Sequence, residues 1–335
     1  MSKKIKVGVF FGGISTEHAV SWISAGGIVA NLDPEKFAVI QILIDKSGGF
    51  WRSGNFFKKG FKKSRLDFNG LARLIDVAFP VLHGQGGEDG AIQGFFETLK
   101  IPYVGADVIS SAIGLDKSFF NQLMAFNKIP KCKFETIDCL RQTPEEIADK
   151  IKNISAEFIF PVFVKAARGG SSIGVIKVKK KNELNKAIQK VKKFDKKIVV
   201  EESIENSIEI EVSALGNDID NYKISFPGRV IPGAEFYDYK DKYFSNKTKF
   251  ELPADLPKQK VNEIKSLALE VYKIINCTGL ARVDFLLDSS LKVFINEINT
   301  LPGFTQISMY PKLWETSGLK YKELLTKLIY LALNK

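Results

Sequence analysis

Histidine and cysteine are scarce in this chain, which has two of the first and three of the second in 335 residues. Cys132, Cys139 and Cys277 have no metal-ligand spacing and make an odd set for disulfides, so they read as packing residues in a reducing compartment, the cytoplasm. Long apolar runs are missing too. None approaches the roughly 20 residues that span a bilayer, and no membrane partner is expected. The opening "MSKKIKVGVFFGG" meets glycines and then "STEH" before any small-residue cleavage site, so it reads as a strand, not a leader. There is no internal repeat and no low-complexity linker.

What remains is 45% hydrophobic and 26% charged, enough for more than one core. The net charge of +11 gathers partly in "KVKKKNELNKAIQKVKKFDKK" (177–197), where lysines interleave with helical apolar spacing. That pattern is a solvated helix face. With no aromatic-basic stripe beside it, no nucleic-acid partner is expected, and an anionic small-molecule substrate suits the charge as well.

Strand-like "KIKVGVFFGG", "FAVIQILID" and "LIDVAFPVLHG" alternate with helical stretches up to about residue 117, which predicts an α/β domain on a parallel sheet. The first helix has Ser/Thr cap candidates in "STEHAVS". Further on the texture is α+β. "FIFPVFVKAARGGSSIGVIKVKK" reads strand, glycine loop, strand, and "KIVVEESI" leads into "EIEVSALGN". "FPGRVIPGAEFYDYKDKYFSNKTKFELPADLP" has little periodicity and reads as a loop able to cover a substrate. A helix, a hairpin and a C-terminal helix from about Tyr321 close the chain.

The hairpin "VDFLLDSSLKVFINEINTLPGF" places acids on half-buried strands. With a two-residue turn at 289–290, alternation puts Arg282, Asp284, Leu286, Val293, Ile295, Glu297 and Asn299 on one face. Uncompensated neighbouring carboxylates repel. Arg282 can compensate them, or a cation can: Asp, Glu and Asn are hard oxygen donors that suit Mg2+. "VKAARGGSSIGV" is no Walker loop, yet its glycines and serines can turn backbone N–H groups toward a phosphate, with Lys165 before them. His18 and His83 both lie in glycine-rich turns after predicted strands, where α/β domains bind ligands.

In collinear order, "GGISTEHAVS", "LHGQGGEDGAIQG", "IPYVGADVISSAIGLDK", "VKAARGGSSIGV", "FYDYKDKYFS", "ARVDFLLD" and "FINEINTLPGFTQISMYPKLWETSG" cover nearly the whole chain. Together they resemble the D-alanine–D-alanine ligases of the ATP-grasp superfamily. The resemblance implies an N-terminal α/β substrate-binding domain (1–117) and two α+β ATP-grasp lobes (118–205 and 206–335), with a lid loop at about 228–250. It implies a cytoplasmic homodimer that converts ATP and two D-alanines into D-alanyl-D-alanine for peptidoglycan.

It also implies roles. Asp284, Glu297 and Asn299 match ligands of two Mg2+ ions, for which Mn2+ can stand in. Lys117, Lys165 and Lys242 match lysines that contact ATP phosphates. Glu201 and the backbone of Glu202 to Ile204 match the adenine site, and Glu209 the ribose site. Glu17 would hold the ammonium of the first D-alanine, with His83 near its carboxylate. Ser171 and Tyr243 would join Glu17 in closing the lid. Arg282 and the N–H of Gly303 would stabilise an oxyanion, and Ser308 would hold the carboxylate of the second D-alanine beside Met309. Tyr243 in "DYKDKYFS" points to D-alanine as nucleophile, since related depsipeptide-forming ligases lack a tyrosine there. Three departures stand out: Ala166 replaces a common proline, Met309 a common leucine, and "EESIENSIEIE" is one residue longer than in some relatives.

Overall fold

The computed structural model describes residues 3–170, 173–233, 248–305 and 307–335. Their strands form three sheets. The first contains β1 (Ile5–Gly12), β2 (Phe37–Ile44), β3 (Phe50–Ser53), β4 (Ser64–Arg65) and β5 (Val77–Pro80), in the order β4-β3-β2-β1-β5. β1 pairs parallel with β2 and β5, while β3 and β4 return antiparallel, so the parallel pattern holds for one side of the sheet and a meander edges the other. The run "VGVFF" is buried on both faces, as a strand between two apolar layers must be. Val7, Val9 and Phe11 pack toward the helix His18–Asn31, and Phe10 meets Phe96 on the other face.

The second sheet is antiparallel: β6 (Phe134–Asp138), β7 (Val162–Ala166), β8 (Val175–Val178) and β9 (Lys197–Glu202), in the order β6-β9-β7-β8. Helices Pro144–Glu157 and Leu184–Val191 cover it and give it its own apolar core. "TPEE" starts the first of these with a reciprocal capping box between Thr143 and Glu146. In the lysine-rich segment only Leu184–Val191 is α-helical, and Leu184, Ala187, Ile188 and Val191 turn inward while Lys186 and Lys190 face solvent.

The third sheet holds β10 (Ile208–Gly216), β11 (Lys223–Ile224), β12 (Gly228–Ile231), β13 (Lys249–Glu251), β14 (Gly279–Leu287) and β15 (Val293–Asn299). Its order is β13-β12-β10-β14-β15, with β11 also on β10. The stretch read from its sequence as irregular therefore contributes β12 and β13. Lys242 and Tyr243, the middle of the expected lid, and Ser171 lie outside the described residues. The C-terminal helix Tyr321–Leu333 returns to the first sheet, where Leu324, Leu325, Leu328 and Ile329 complete the core of Val7, Val9 and Phe11. Among the described residues no helix is long and apolar enough to cross a membrane.

The hairpin β14–β15 corrects the expected turn. Leu287 pairs with Val293, so the connection runs over residues 288–292, not two residues. Asp288 organises it by accepting from the backbone N–H of Ser290 and Lys292, and Leu291 takes a positive φ of 62°. This register alone moves Val293 and Ile295 to the face of Phe285 and Leu287, away from Leu286. An irregularity then follows: Phe285 pairs with Ile295 but Asp284 with Glu297, leaving Asn296 as the extra residue of a bulge. The bulge restores the phase. Asp284 faces Glu297, and Arg282 faces Asn299.

Candidate active site

A cleft of about 630 Å³ lies where the sheets converge, and of the described candidate residues all but His18 line it. Glu17 and His83 come from loops after the first sheet's strands; Lys117 starts the helix Lys117–Phe126; Lys165 and Glu201 come from the second sheet; Glu209, Arg282, Asp284, Glu297 and Asn299 come from the third sheet. Glu202, Ile204, Gly303, Ser308 and Met309 complete that set.

On the third sheet, Arg282 forks Asp284, with Nε 2.7 Å from Oδ1 and a terminal nitrogen 2.6 Å from Oδ2. The same Nε lies 3.0 Å from Oε2 of Glu211, an acid the sequence reading did not single out. Burial alone would lower the pKa of the guanidinium; Asp284 and Glu211 beside it outweigh that and hold it well above its ordinary value.

On the opposite wall, Asp116 caps the helix Lys117–Phe126 by accepting from the N–H groups of Ser118 and Phe119. That places Lys117 on the first turn at the cleft. Its Nζ donates to the carbonyl of Gly169 at 2.8 Å and stands 3.5 Å from Oε2 of Glu297, joining the glycine loop to the hairpin acids. Lys165 projects from β7 and donates to Glu201. Glu201 also accepts from Asn121 at 2.7 Å and lies 3.3 Å from Nζ of Lys131, a second residue the sequence did not single out. Burial by itself raises the Glu201 carboxyl, but the two lysines and Asn121 together hold it well below the usual range. For Lys165, burial lowers the pKa and the Glu201 charge more than restores it. The Glu202 carboxylate accepts from the N–H of Ile159 at 2.9 Å.

At the mouth formed by the first sheet, Glu17 is buried, and its N–H donates to the hydroxyl of Ser15. The expected Ser/Thr cap is corrected here. The N-cap is Glu17, without a side-chain cap, and the Ser15 hydroxyl instead donates to the carbonyl of His83 at 2.6 Å. Gly84 has a positive φ, and a Cβ there would stand 2.9 Å from Oε2 of Glu17, so the glycine admits that carboxylate. His83 has Nδ1 3.7 Å from Glu88, while its buried Nε2 has no hydrogen-bond partner among the described residues. His18 does not join the site. Its Nδ1 bonds the carbonyl of Gly13, and its ring lies toward Trp22.

Beyond the hairpin, Ser308 opens the helix Met309–Thr316, and its hydroxyl accepts from the N–H of Thr305 at 2.9 Å. Gly303 lies so close that a Cβ would sit 2.8 Å from that hydroxyl. Met309 is buried beside Gly228.

The donor set fits a divalent hard cation. Asp284, Glu297 and Asn299 offer only oxygen and amide ligands, on adjacent strands facing one cleft. Among the described residues no three His, Cys, Asp or Glu side chains form a ready-made cage. Arg282 and Lys117 already lie against these acids and offset part of their charge.

Two stretches of the chain match family models, the N-terminus of D-Ala–D-Ala ligase over residues 6–106 and its C-terminus over 123–330. A D-alanine–D-alanine ligase of Caldicellulosiruptor bescii is 45% identical, covering 99% of this chain and 96% of the relative. That of Halothermothrix orenii is 43% identical over 99% of both. Among solved structures, the D-alanine–D-alanine ligase of Coxiella burnetii superposes with a TM-score of 0.83 at 34% identity, covering 99% of this chain and 95% of that one. A D-Ala:D-Ser ligase of Enterococcus faecalis gives 0.84 at 33%, covering 98% and 100%.

Proposed function

The chain belongs to the D-alanine–D-alanine ligase family, and on that premise we propose how its cleft residues divide the work of joining two D-alanines with ATP. The enzyme forms D-alanyl-D-alanine for peptidoglycan synthesis. The observation that carries the assignment of roles is the meeting, in one cleft, of Lys117 under the glycine loop with the polar face of the β14–β15 hairpin.

Lys117 and Lys165 hold the ATP phosphates, together with Lys242. The adenine lies against the strand of Glu201, taking backbone contacts from Glu202 to Ile204, and Glu209 takes the ribose. Glu17 binds the ammonium of the first D-alanine. The unpartnered Nε2 of His83 is free for its carboxylate. That carboxylate attacks the γ-phosphorus, the bond to the β–γ bridging oxygen breaks, and ADP leaves as D-alanyl phosphate forms. Asp284, Glu297 and Asn299 would hold Mg2+, which neutralises charge on the transferring phosphoryl group. Ser308 fixes the carboxylate of the second D-alanine, whose amine attacks the acyl carbon beside Met309 to give a tetrahedral oxyanion that collapses with loss of phosphate. Arg282 and the N–H of Gly303 stabilise the oxyanion, and each such donor typically lowers the barrier by about 3 kcal/mol. Ser171 and Tyr243 close the lid with Glu17 and keep water from the acyl phosphate.

The same reading makes the enzyme a cytoplasmic homodimer of three-domain protomers, divided near residues 117 and 205. The test is ADP release by the purified protein with ATP, Mg2+ and D-alanine, with L-alanine and D-alanine plus D-lactate as controls. Release that needs D-alanine and disappears in Glu297→Gln is expected. Release driven by a different amino acid would overturn the substrate, and full activity in Glu297→Gln would overturn the metal role.

A further inference from the structure

Three acids stand in a row across the cleft face of the third sheet. Glu211 of β10 is directly opposite Asp284 of β14, which is directly opposite Glu297 of β15. Neighbouring strands lie about 4.8 Å apart, and like charges facing each other across strands destabilise a sheet. One guanidinium lies among them. Arg282 forks Asp284 and brings the same Nε to 3.0 Å from Glu211.

Under the reading above, Asp284 and Arg282 serve different partners: Asp284 turns to a divalent cation and Arg282 to the oxyanion. Yet here both oxygens of Asp284 are taken by Arg282. A cation that claims Asp284 would leave a buried guanidinium without its fork partner, a costly state unless another carboxylate remains. Glu211 is that carboxylate, itself buried and held on the neighbouring strand. Glu209 does not fill this place, because it is opposite Leu286, one inward-facing pair farther from Arg282.

We propose that Glu211 is a positioning residue for Arg282, the counter-charge that keeps the guanidinium in place while Asp284 exchanges it for the cation. The proposal rests on the metal role of Asp284. Its sequence signal is the second acid of "EIEVS", whose partner becomes visible only when β10 pairs with β14.

The experiment is calorimetry of ADP binding to the full chain at stepped Mg2+ concentrations, for the wild type, E211Q, R282M and the double variant. In E211Q, Arg282 loses one of its two close carboxylates and holds Asp284 more firmly, so the cation meets stronger competition. The Mg2+ midpoint should rise at least tenfold. In the R282M background the same substitution should move it less than twofold, because the competitor is gone. An unchanged midpoint in E211Q, or an equal shift in both backgrounds, would overturn the proposal; the equal shift would make Glu211 a direct ligand. Wild-type ADP binding that ignores Mg2+ would instead sink the metal reading beneath it. Steady-state kinetics supply a second readout, with kcat in E211Q falling at least tenfold and KM for ATP at saturating Mg2+ within threefold of wild type. Should E211Q not fold, E211D reaches Arg282 less well and should raise the midpoint at least threefold, an unchanged value overturning the role.

Discussion

At Glu201 a single buried carboxylate meets Lys131 and Asn121 through Oε1 and Lys165 through Oε2. Removing one partner of a buried ion pair typically costs about 3–5 kcal/mol, because the remaining charge stays buried. Glu201→Gln should therefore lower the melting temperature strongly at neutral pH. The pH dependence has a definite sign. The carboxyl is held below its ordinary value of 4.5, so its contribution is present above that pH and fades as pH falls through the folded value. The gap between the melting temperatures of wild type and variant should narrow progressively as pH falls below about 4.5, and a gap that stays constant into acid would refute the pairing. Gly303 makes a different prediction. A methyl group at Gly303 would lie 2.8 Å from the Ser308 hydroxyl, which Thr305 already holds. Gly303→Ala should raise KM for D-alanine at least tenfold with little change in melting temperature; wild-type kinetics would show that the hydroxyl yields freely.

Among the elements, the β14–β15 hairpin depends on one residue for its phase. Deleting Asn296 removes the bulge, so either the acids or the turn side must change face. The deletion should abolish Mg2+-dependent ADP binding while circular dichroism still reports a folded sheet. Retained binding would mean that another residue takes over the bulge. Nothing in "KVFINEIN" marks Asn296 as a bulge, since it is neither glycine nor proline, and the turn at 288–292 looks in sequence like a two-residue serine turn. The polar set Arg282, Asp284, Glu297 and Asn299 was nonetheless legible, because two departures from simple alternation cancel. Motifs contiguous in the chain, such as the glycine loop and the Asp116–Lys117 helix start, carry their placement in a few residues. Glu211 and Lys131 were not legible. Each owes its partner to a strand more than sixty residues away in sequence. The helix Met309–Thr316 was missed as well, being eight residues long with Pro311 inside it.

At the scale of the molecule the cores are divided unequally. The second sheet closes its core with residues between Ile137 and Val200 alone. The first sheet does not: one face is completed by Leu215 and Leu280 of the third sheet and by the C-terminal helix. Leu328, almost fully buried there, should cost about 2–5 kcal/mol when cut to alanine. The loss should register in amide exchange of β1 and β5 as well as in the helix, while β7 and β9 keep their protection. Faster exchange confined to the helix would contradict the shared core.

That division also bears on how the chain is made. Protein synthesis runs from one end to the other, and units with their own core fold as they emerge. The first sheet has to wait for a helix translated long after it, since Val7 packs in one core with Ile329. The lobe between them can close as soon as its own residues have left the ribosome. During that interval the apolar face of β1 is a natural client surface for a chaperone, and ribosomes stalled before codon 321 would display it.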